Sequence, residues 1–233
     1  MKIALVGNGN VSSHLYEAFK NKTEVYQVNS RTLENFPKGC DIAVLCVKDD
    51  AISEVSEKIK ELSPVIVHTS GSVSMDVLSP FASHYGVMYP LQTFTKGIEI
   101  PYNEIPFFIE ASDKETEEKI TEIVSLISEN INFCDSDRRK KLHLASVFAC
   151  NFTNALLGIS FDILKENGFS PDDIKPLIKQ TISKLDILSP KEAQTGPAKR
   201  NDIKVMQAHL DLLSNNSDLK EIYRILSSHI SGT

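Results

Sequence analysis

The chain opens Lys2-Ile3-Ala4-Leu5-Val6-Gly7-Asn8-Gly9-Asn10-Val11-Ser12, an apolar run that enters a glycine turn and then a segment of helical periodicity. Few openings restrict a fold as much. A buried strand feeding a helix through two glycines belongs to a βαβ unit. The first glycine makes the tight turn and the second lets a pyrophosphate approach the backbone. Free amides and the positive end of the helix dipole then suit phosphate. Gly7, Asn8, Gly9, Asn10 and Val11 are therefore candidate dinucleotide contacts. Where the three-glycine pattern has its last glycine, this chain has Ser12, small enough for helix–strand packing but not ideal.

The pattern that follows extends the same architecture. Apolar runs at 3–6, 25–28, 41–47 and 65–68 read as strands, and 41–47 is continuous enough to be covered on both faces. Helical periodicity occupies 11–20, the stretch from Asp49 and Asp50 (candidate caps) to 62, and 114–129. Shorter strands are expected at 87–89, 106–109 and 131–134. Such alternation implies right-handed βαβ units and a mostly parallel sheet. From Asp135 onward no strand pattern remains. Residues 138–167 can form one long helix with apolar residues on more than one face. A helix of that kind is covered by its own domain and by something else, plausibly a second subunit. Gly168 and Ser170-Pro171 stop it and start the next, at 172–188. A loop over 192–202 and helices at 203–213 and 219–230 complete the chain.

Composition narrows the function classes. The 233 residues carry a net charge of -6, which offers no basic face to nucleic acid. No apolar run is expected to reach the ~20 residues a membrane span needs. The short apolar start lacks a small-residue cleavage site and reads as a strand rather than a signal peptide. Cys40, Cys46, Cys134 and Cys150 form no C-x-x-C pair and no metal spacing. They are expected as reduced core cysteines in a cytoplasmic protein, with no metal site.

Several residues are candidates for chemistry. Some twenty residues past the glycines, a site for NAD places an acid to hold the ribose 2′-hydroxyl. Here Asn29-Ser30-Arg31-Thr32 stands instead. Arg31 can pair with a 2′-phosphate while Ser30 and Thr32 donate hydrogen bonds, which favours NADP. A solvated arginine in a surface turn is the plainer reading. Val47, with Lys48 and Asp49, should border the crevice at the strand ends, and His68, Thr69, Ser70 and Gly71 should lie near the nicotinamide. His68 could instead be a hydrogen-bonded strand-end histidine. On the long helix, a uniform 100° step puts His143, Val147, Asn151 and Asn154 within an arc of ~80°, with His143 and Asn151 about 12 Å apart along the axis. A substrate lying on that face could meet both. Two asparagines satisfied within a helix–helix contact would explain the same pattern.

The opening Gly-Asn-Gly-Asn-Val, His68-Thr-Ser-Gly-Ser72, Tyr89-Pro-Leu-Gln-Thr-Phe94, His143…Asn151-Phe152 and Thr195-Gly-Pro-Ala-Lys-Arg200-Asn-Asp202 occur in one order along nearly the whole chain. Together they resemble the Rossmann-like DUF2520-domain proteins, generally labelled NADP oxidoreductases. Their layout is similar to that of pyrroline-5-carboxylate reductases and β-hydroxyacid dehydrogenases. The resemblance implies an N-terminal Rossmann NADP-binding domain, residues 1–134. It also implies a C-terminal all-α domain, residues 135–233, like that of 6-phosphogluconate dehydrogenase, and a homodimer made through the helices. It names no substrate. Two departures stand out. β-Hydroxyacid dehydrogenases carry a catalytic lysine four residues before a helix asparagine, whereas Val147 and Cys150 stand four before Asn151 and Asn154. Asn201 also stands where the family usually has glycine.

The expectation is an α/β protein that binds NADP and transfers a hydride to or from a small carbonyl or imine compound. His143 is the candidate proton donor, because an ordinary histidine pKa near 6.5 suits the task. Asn151 would orient the substrate. The alternatives are a non-catalytic NADP-binding redox sensor and a Rossmann domain that has lost its cofactor.

Overall fold

The computed structural model describes residues 1–232. The chain forms two compact units, Met1–Leu156 and Leu157–Thr233. In the first unit the strands are β1 (Lys2–Val6), β2 (Glu24–Val28), β3 (Ile42–Leu45), β4 (Val65–His68), β5 (His84–Pro90), β6 (Phe107–Ala111) and β7 (Ile131–Phe133). The helices are α1 (Asn10–Phe19), α2 (Ile52–Ile59), α3 (Lys114–Ser125) and α4 (Ser136–Ser146).

All seven strands form one sheet in the order β2-β1-β3-β4-β5-β6-β7. The pairs from β2 to β5 are parallel; β5 and β6 pair antiparallel, and β6 and β7 parallel. The sheet is thus mostly parallel, as the alternation implies. It reverses at β6 because the chain returns from β5 through residues 91–106 without a crossover helix.

Alternate side chains of the central strands pack on opposite faces. Ile3, Leu5, Ile42 and Val44 meet Leu15 and Phe19 of α1 and Ile120, Ile123 and Val124 of α3. Ala4, Val6, Ala43 and Leu45 meet Ile52, Val55 and Ile59 of α2. These strand residues are almost fully buried, which is why their sequence is continuously apolar rather than alternating.

Some local expectations fail for identifiable reasons. Asp49 and Asp50 do not cap α2; a 3₁₀ turn at Asp49–Ala51 leads into it, and Asp49 instead accepts a hydrogen bond from Ser72 Oγ. The long helix spans Ser136–Glu166 but is not uniformly α-helical. Residues Val147–Phe152 are π-helical, between α4 and α5 (Thr153–Glu166). Thr153 Oγ1 donates to the Phe148 carbonyl at 3.3 Å, five residues back. The wider turn changes the angular step, so the 100° spacing that places His143, Val147, Asn151 and Asn154 on one arc does not hold. By length and composition this helix could cross a membrane. Interspersed polar residues hide that property from a search for uninterrupted apolar runs.

The rest of the second unit comprises α6 (Lys175–Ser183), α7 (Pro190–Ala193), α8 (Ile203–Leu212) and α9 (Ser217–Ser231). Their ends are written locally. Ser170 and Asp173 form a capping box at the 3₁₀ turn Pro171–Ile174 that leads into α6, Ser189 and Glu192 form one at α7, and Asp202 and Asn216 cap α8 and α9. Asn201 has φ +56, the left-handed conformation that asparagine tolerates where glycine is usual. Among the described residues of this unit, Ala198 alone is buried.

Candidate active site

The glycine turn does two separate things. Gly7 has φ +134, and a Cβ there would sit 2.2 Å from the Cys46 carbonyl oxygen on the neighbouring strand. It lets β1 turn while staying paired to β3. A Cβ on Gly9 would meet no atom within 4 Å. Gly9 is the N-cap of α1; no side chain caps that end and its first turn carries no acid. The helix amides and dipole therefore face open space, an arrangement suited to an anion. Ser12 is fully buried, and its Oγ accepts a hydrogen bond from Gln27 at 3.3 Å.

A groove of about 710 Å³ lies at the carboxyl ends of β1, β2 and β3. Gly7 through Val11 form one part of its lining, and Ser30, Arg31 and Val47 another. Thr32 is outside this lining; its Oγ1 accepts from the Glu34 amide at 3.4 Å. Lys48, expected beside the crevice, also lines the groove, as does Lys58, a cation that motif reading did not name. Lys58 is paired to Glu54 at 2.6 Å. The groove floor includes Cys46, whose thiol burial pushes up to about 12, so it stays protonated.

His68 and its turn occupy a different place. His68 is fully buried at the end of β4. Its Nδ1 accepts from the Ser70 amide at 3.1 Å, and its Nε2 faces the Ser74 carbonyl at 3.4 Å. Burial, helped by the charge of Arg139, lowers its pKa to about 4. Ser70 Oγ accepts from the amides of Ser72 and Val73, both at 3.1 Å. Of this turn only Thr69 lines the groove.

Gly71 closes against a second cluster. A Cβ on it would lie 2.7 Å from His143 Nδ1 and 2.8 Å from Tyr89 Cζ. Tyr89, at the end of β5, places its hydroxyl 3.1 Å from His143 Nδ1, and the two rings meet edge-on with centroids 5.9 Å apart. Burial raises the Tyr89 pKa, while Ser146 and Arg139 pull it the other way. The π segment follows directly and carries Asn151, which is exposed.

The cluster is anchored from below by Arg139, fully buried one turn before His143. Its guanidinium is paired to Glu110 of β6 and donates to the Val73 carbonyl at 2.6 Å. Ser136 bridges the same group, donating to Glu110 from its amide at 2.9 Å and from Oγ at 2.7 Å. Charge pairing of this kind at a buried site is strongly unfavourable to break. Sequence reading found His143 but not Tyr89, Ser146, Glu110 or Arg139 as its surroundings. The only signal for Tyr89 was its place at the head of a block shared with a family.

Among the described residues no group of histidines, cysteines and acids could hold a metal. All four cysteines are free; Cys40, Cys46 and Cys134 are buried, as expected of core cysteines. Cys150 is exposed, because the π-helical stretch that carries it is uncovered within the chain.

A family model described as "Domain of unknown function (DUF2520)" matches residues 105–230. The crystal structure of a Bacteroides fragilis protein assigned as an NADP oxidoreductase is similar over 100% of this chain and 98% of its own, at 35% identity and TM-score 0.93. A Thermotoga maritima protein matches over 99% of this chain and 100% of its own, at 23% identity and TM-score 0.78. A reductive aminase from Aspergillus terreus, in complex with NADPH and ethyl levulinate, shares the fold at 13% identity and TM-score 0.68, over 98% of this chain and 92% of its own. No curated protein matches the sequence.

Proposed function

This chain belongs to the DUF2520 family, and on that premise we propose that it is an NADP-dependent oxidoreductase acting on a small carbonyl or imine compound in the cytoplasm. The observation that carries the reading is the open space beside Gly9, at an uncapped helix end, in one groove with Arg31 and without an acid at the end of β2. NADP fits this donor set. Gly7, Asn8, Gly9, Asn10 and Val11 would hold its pyrophosphate. Arg31 would pair with the 2′-phosphate, Ser30 and Thr32 would assist, and Val47 would border the adenosine. When bound, the cofactor supplies or accepts the hydride. His143 gives the substrate a proton, and Asn151 orients it by hydrogen bonding. His68, Ser70 and Gly71 shape the turn between the groove and His143.

Titration with NADPH and NADH tests the cofactor assignment. NADPH should bind at least about tenfold more tightly, since a hydrogen bond to a charged group contributes roughly 1.5–3 kcal/mol. Arg31→Ala should erase the difference. Equal affinities in the unaltered protein would remove the NADP reading.

The same reading includes a homodimer. Leu144, Phe148, Phe152 and Leu156, at intervals of four residues, are 59%, 63%, 49% and 38% exposed. An apolar face of this kind on a 31-residue helix calls for cover. A second copy of the chain supplies it with the symmetry usual for soluble oligomers. Light scattering at micromolar concentration should give twice the 25.9 kDa of one chain. A monomer mass at every concentration would refute the pairing.

A further inference from the structure

We propose that the ion pair of Glu54 and Lys58 on α2 sets the preference of the groove for NADP, with Lys58 keeping the carboxylate from opposing the 2′-phosphate. This inference rests on the reading of the groove as the cofactor site. Motif reading looks for a discriminating acid at the end of β2, where this chain has none. The fold brings one in from another element. Glu54, Val55 and Lys58 fall within an arc of ~100° on α2, and all three line the groove that Ser30 and Arg31 also line. Glu54 is the only carboxylate of that lining, among the described residues. A free carboxylate in a dinucleotide groove can accept from a ribose 2′-hydroxyl and repels a phosphate in its place, so Glu54 by itself would favour NAD.

Glu54 does not stand by itself. Lys58 Nζ lies 2.6 Å from Glu54 Oε1, one turn further along α2. The acid precedes the base by four residues, the favourable order on a helix, and Lys58 sits in the last turn, where the dipole favours a cation. The lysine holds the Glu54 carboxyl below the usual carboxylate range, so the acid is ionised at neutral pH and presents a charge to be cancelled. Arg31 and Lys48, the other cations of the lining, form no ion pair among the described residues. The charge of Lys58 is thus committed to Glu54, while those of Arg31 and Lys48 stay available to an anion. With three cations against one acid, the lining is positive in a chain whose net charge is -6. An exposed pair of this kind adds little to folding stability, so its consequence lies in the field it presents to the groove. A phosphate with about two negative charges is the group most sensitive to that field.

Calorimetric titration of the full-length protein with NADPH and with NADH tests the pair without any substrate. NADH lacks only the 2′-phosphate, so its affinity is the control for an intact groove. Lys58→Gln should weaken NADPH about three- to tenfold and should not weaken NADH, as expected for an uncancelled like charge screened by salt. Lys58→Arg, which keeps the charge, should retain the preference. The double variant Glu54→Gln, Lys58→Gln should return NADPH affinity to within about twofold of the unaltered protein, because the acid is gone together with its guard. An unchanged ratio of the two affinities in Lys58→Gln overturns the proposal. So does a double variant as weak for NADPH as Lys58→Gln, which would make Lys58 a direct phosphate contact instead. Either result leaves the NADP reading standing. Equal affinities in the unaltered protein would overturn that reading and this inference with it.

Discussion

The groove at the ends of β1 to β3 and the cluster around His143 are built by opposite means. The groove is made largely of backbone: glycines, an uncapped helix end and side chains that line open space. Its parts leave capacity unused. The cluster is made of side chains that satisfy one another, from Tyr89 and His143 down to Arg139 and Glu110. Among the described residues, only the Arg139 Nε is a buried side-chain nitrogen or oxygen without a hydrogen-bond partner. On the reading proposed above, the groove holds the nucleotide, while the base of the cluster, Arg139 with Glu110, supports the fold. Damage to the groove should cost binding, whereas damage to the base of the cluster should cost stability.

The largest separation is expected at His143. His143→Ala should leave NADPH affinity unchanged, because the nucleotide is held by the groove. Turnover on a carbonyl or imine found by screening should fall ~10²–10⁴-fold, the worth of a positioned acid. Steady-state kinetics beside a binding titration checks both halves, and an unaltered rate would take His143 out of the chemistry.

Next comes a paired comparison at Glu110 and Gly9. Glu110→Ala strands the fully buried Arg139 and should cost about 3–5 kcal/mol of unfolding free energy. Gly9→Ala should change stability by less than about 1 kcal/mol, since its Cβ meets nothing and the restricted unfolded chain offsets alanine's poorer fit at the N-cap of α1. It should nonetheless lose NADPH affinity. Urea unfolding of both variants decides the matter; a large stability loss at Gly9 would break the contrast.

A smaller effect concerns acid. His68 has a pKa near 4 in the folded protein against 6.5 ordinarily, so the folded state resists its protonation. Stability is full above pH 6.5 and falls as the pH drops towards 4, where the unfolded chain binds the proton first. The loss amounts to about 3 kcal/mol once pH 4 is passed. Unfolding curves at several pH values, compared with His68→Gln, isolate it. An equal acid slope in the variant would assign the effect to other groups.

These two regions also differ in how far the sequence discloses them. The groove was legible because its chemistry is local. Gly7 through Ser12 are consecutive, and Arg31 follows at the interval one βαβ unit requires. The central strands β1, β3 and β4 were legible for the same reason, as runs buried on both faces. The cluster was not, because positions 71, 89, 110, 139, 143 and 146 meet only after the sheet has formed. The π-helical turn was invisible too, since Val147–Phe152 has no composition that separates it from the α-helix on either side. Asp49 and Asp50 have the composition of caps, but a 3₁₀ turn takes the place where a cap would act. In the second unit Gly168 and Ser170-Pro171 marked one helix end and the next start in advance, whereas the capping box of Ser189 and Glu192 was not read, and α7 falls partly in a stretch expected to be a loop. The wide exposure of its apolar residues was foreseen only as a need for cover.

The division of labour between the two glycines has a historical consequence. Gly7 cannot be exchanged without separating β1 from β3, so it must persist in any descendant that keeps this sheet, whether or not a nucleotide is ever bound. Gly9 is under no such obligation to the fold. A lineage that abandoned the cofactor would be free to lose Gly9 while retaining Gly7. The second glycine, and not the more constrained first, is therefore the position whose drift would date the loss of the cofactor.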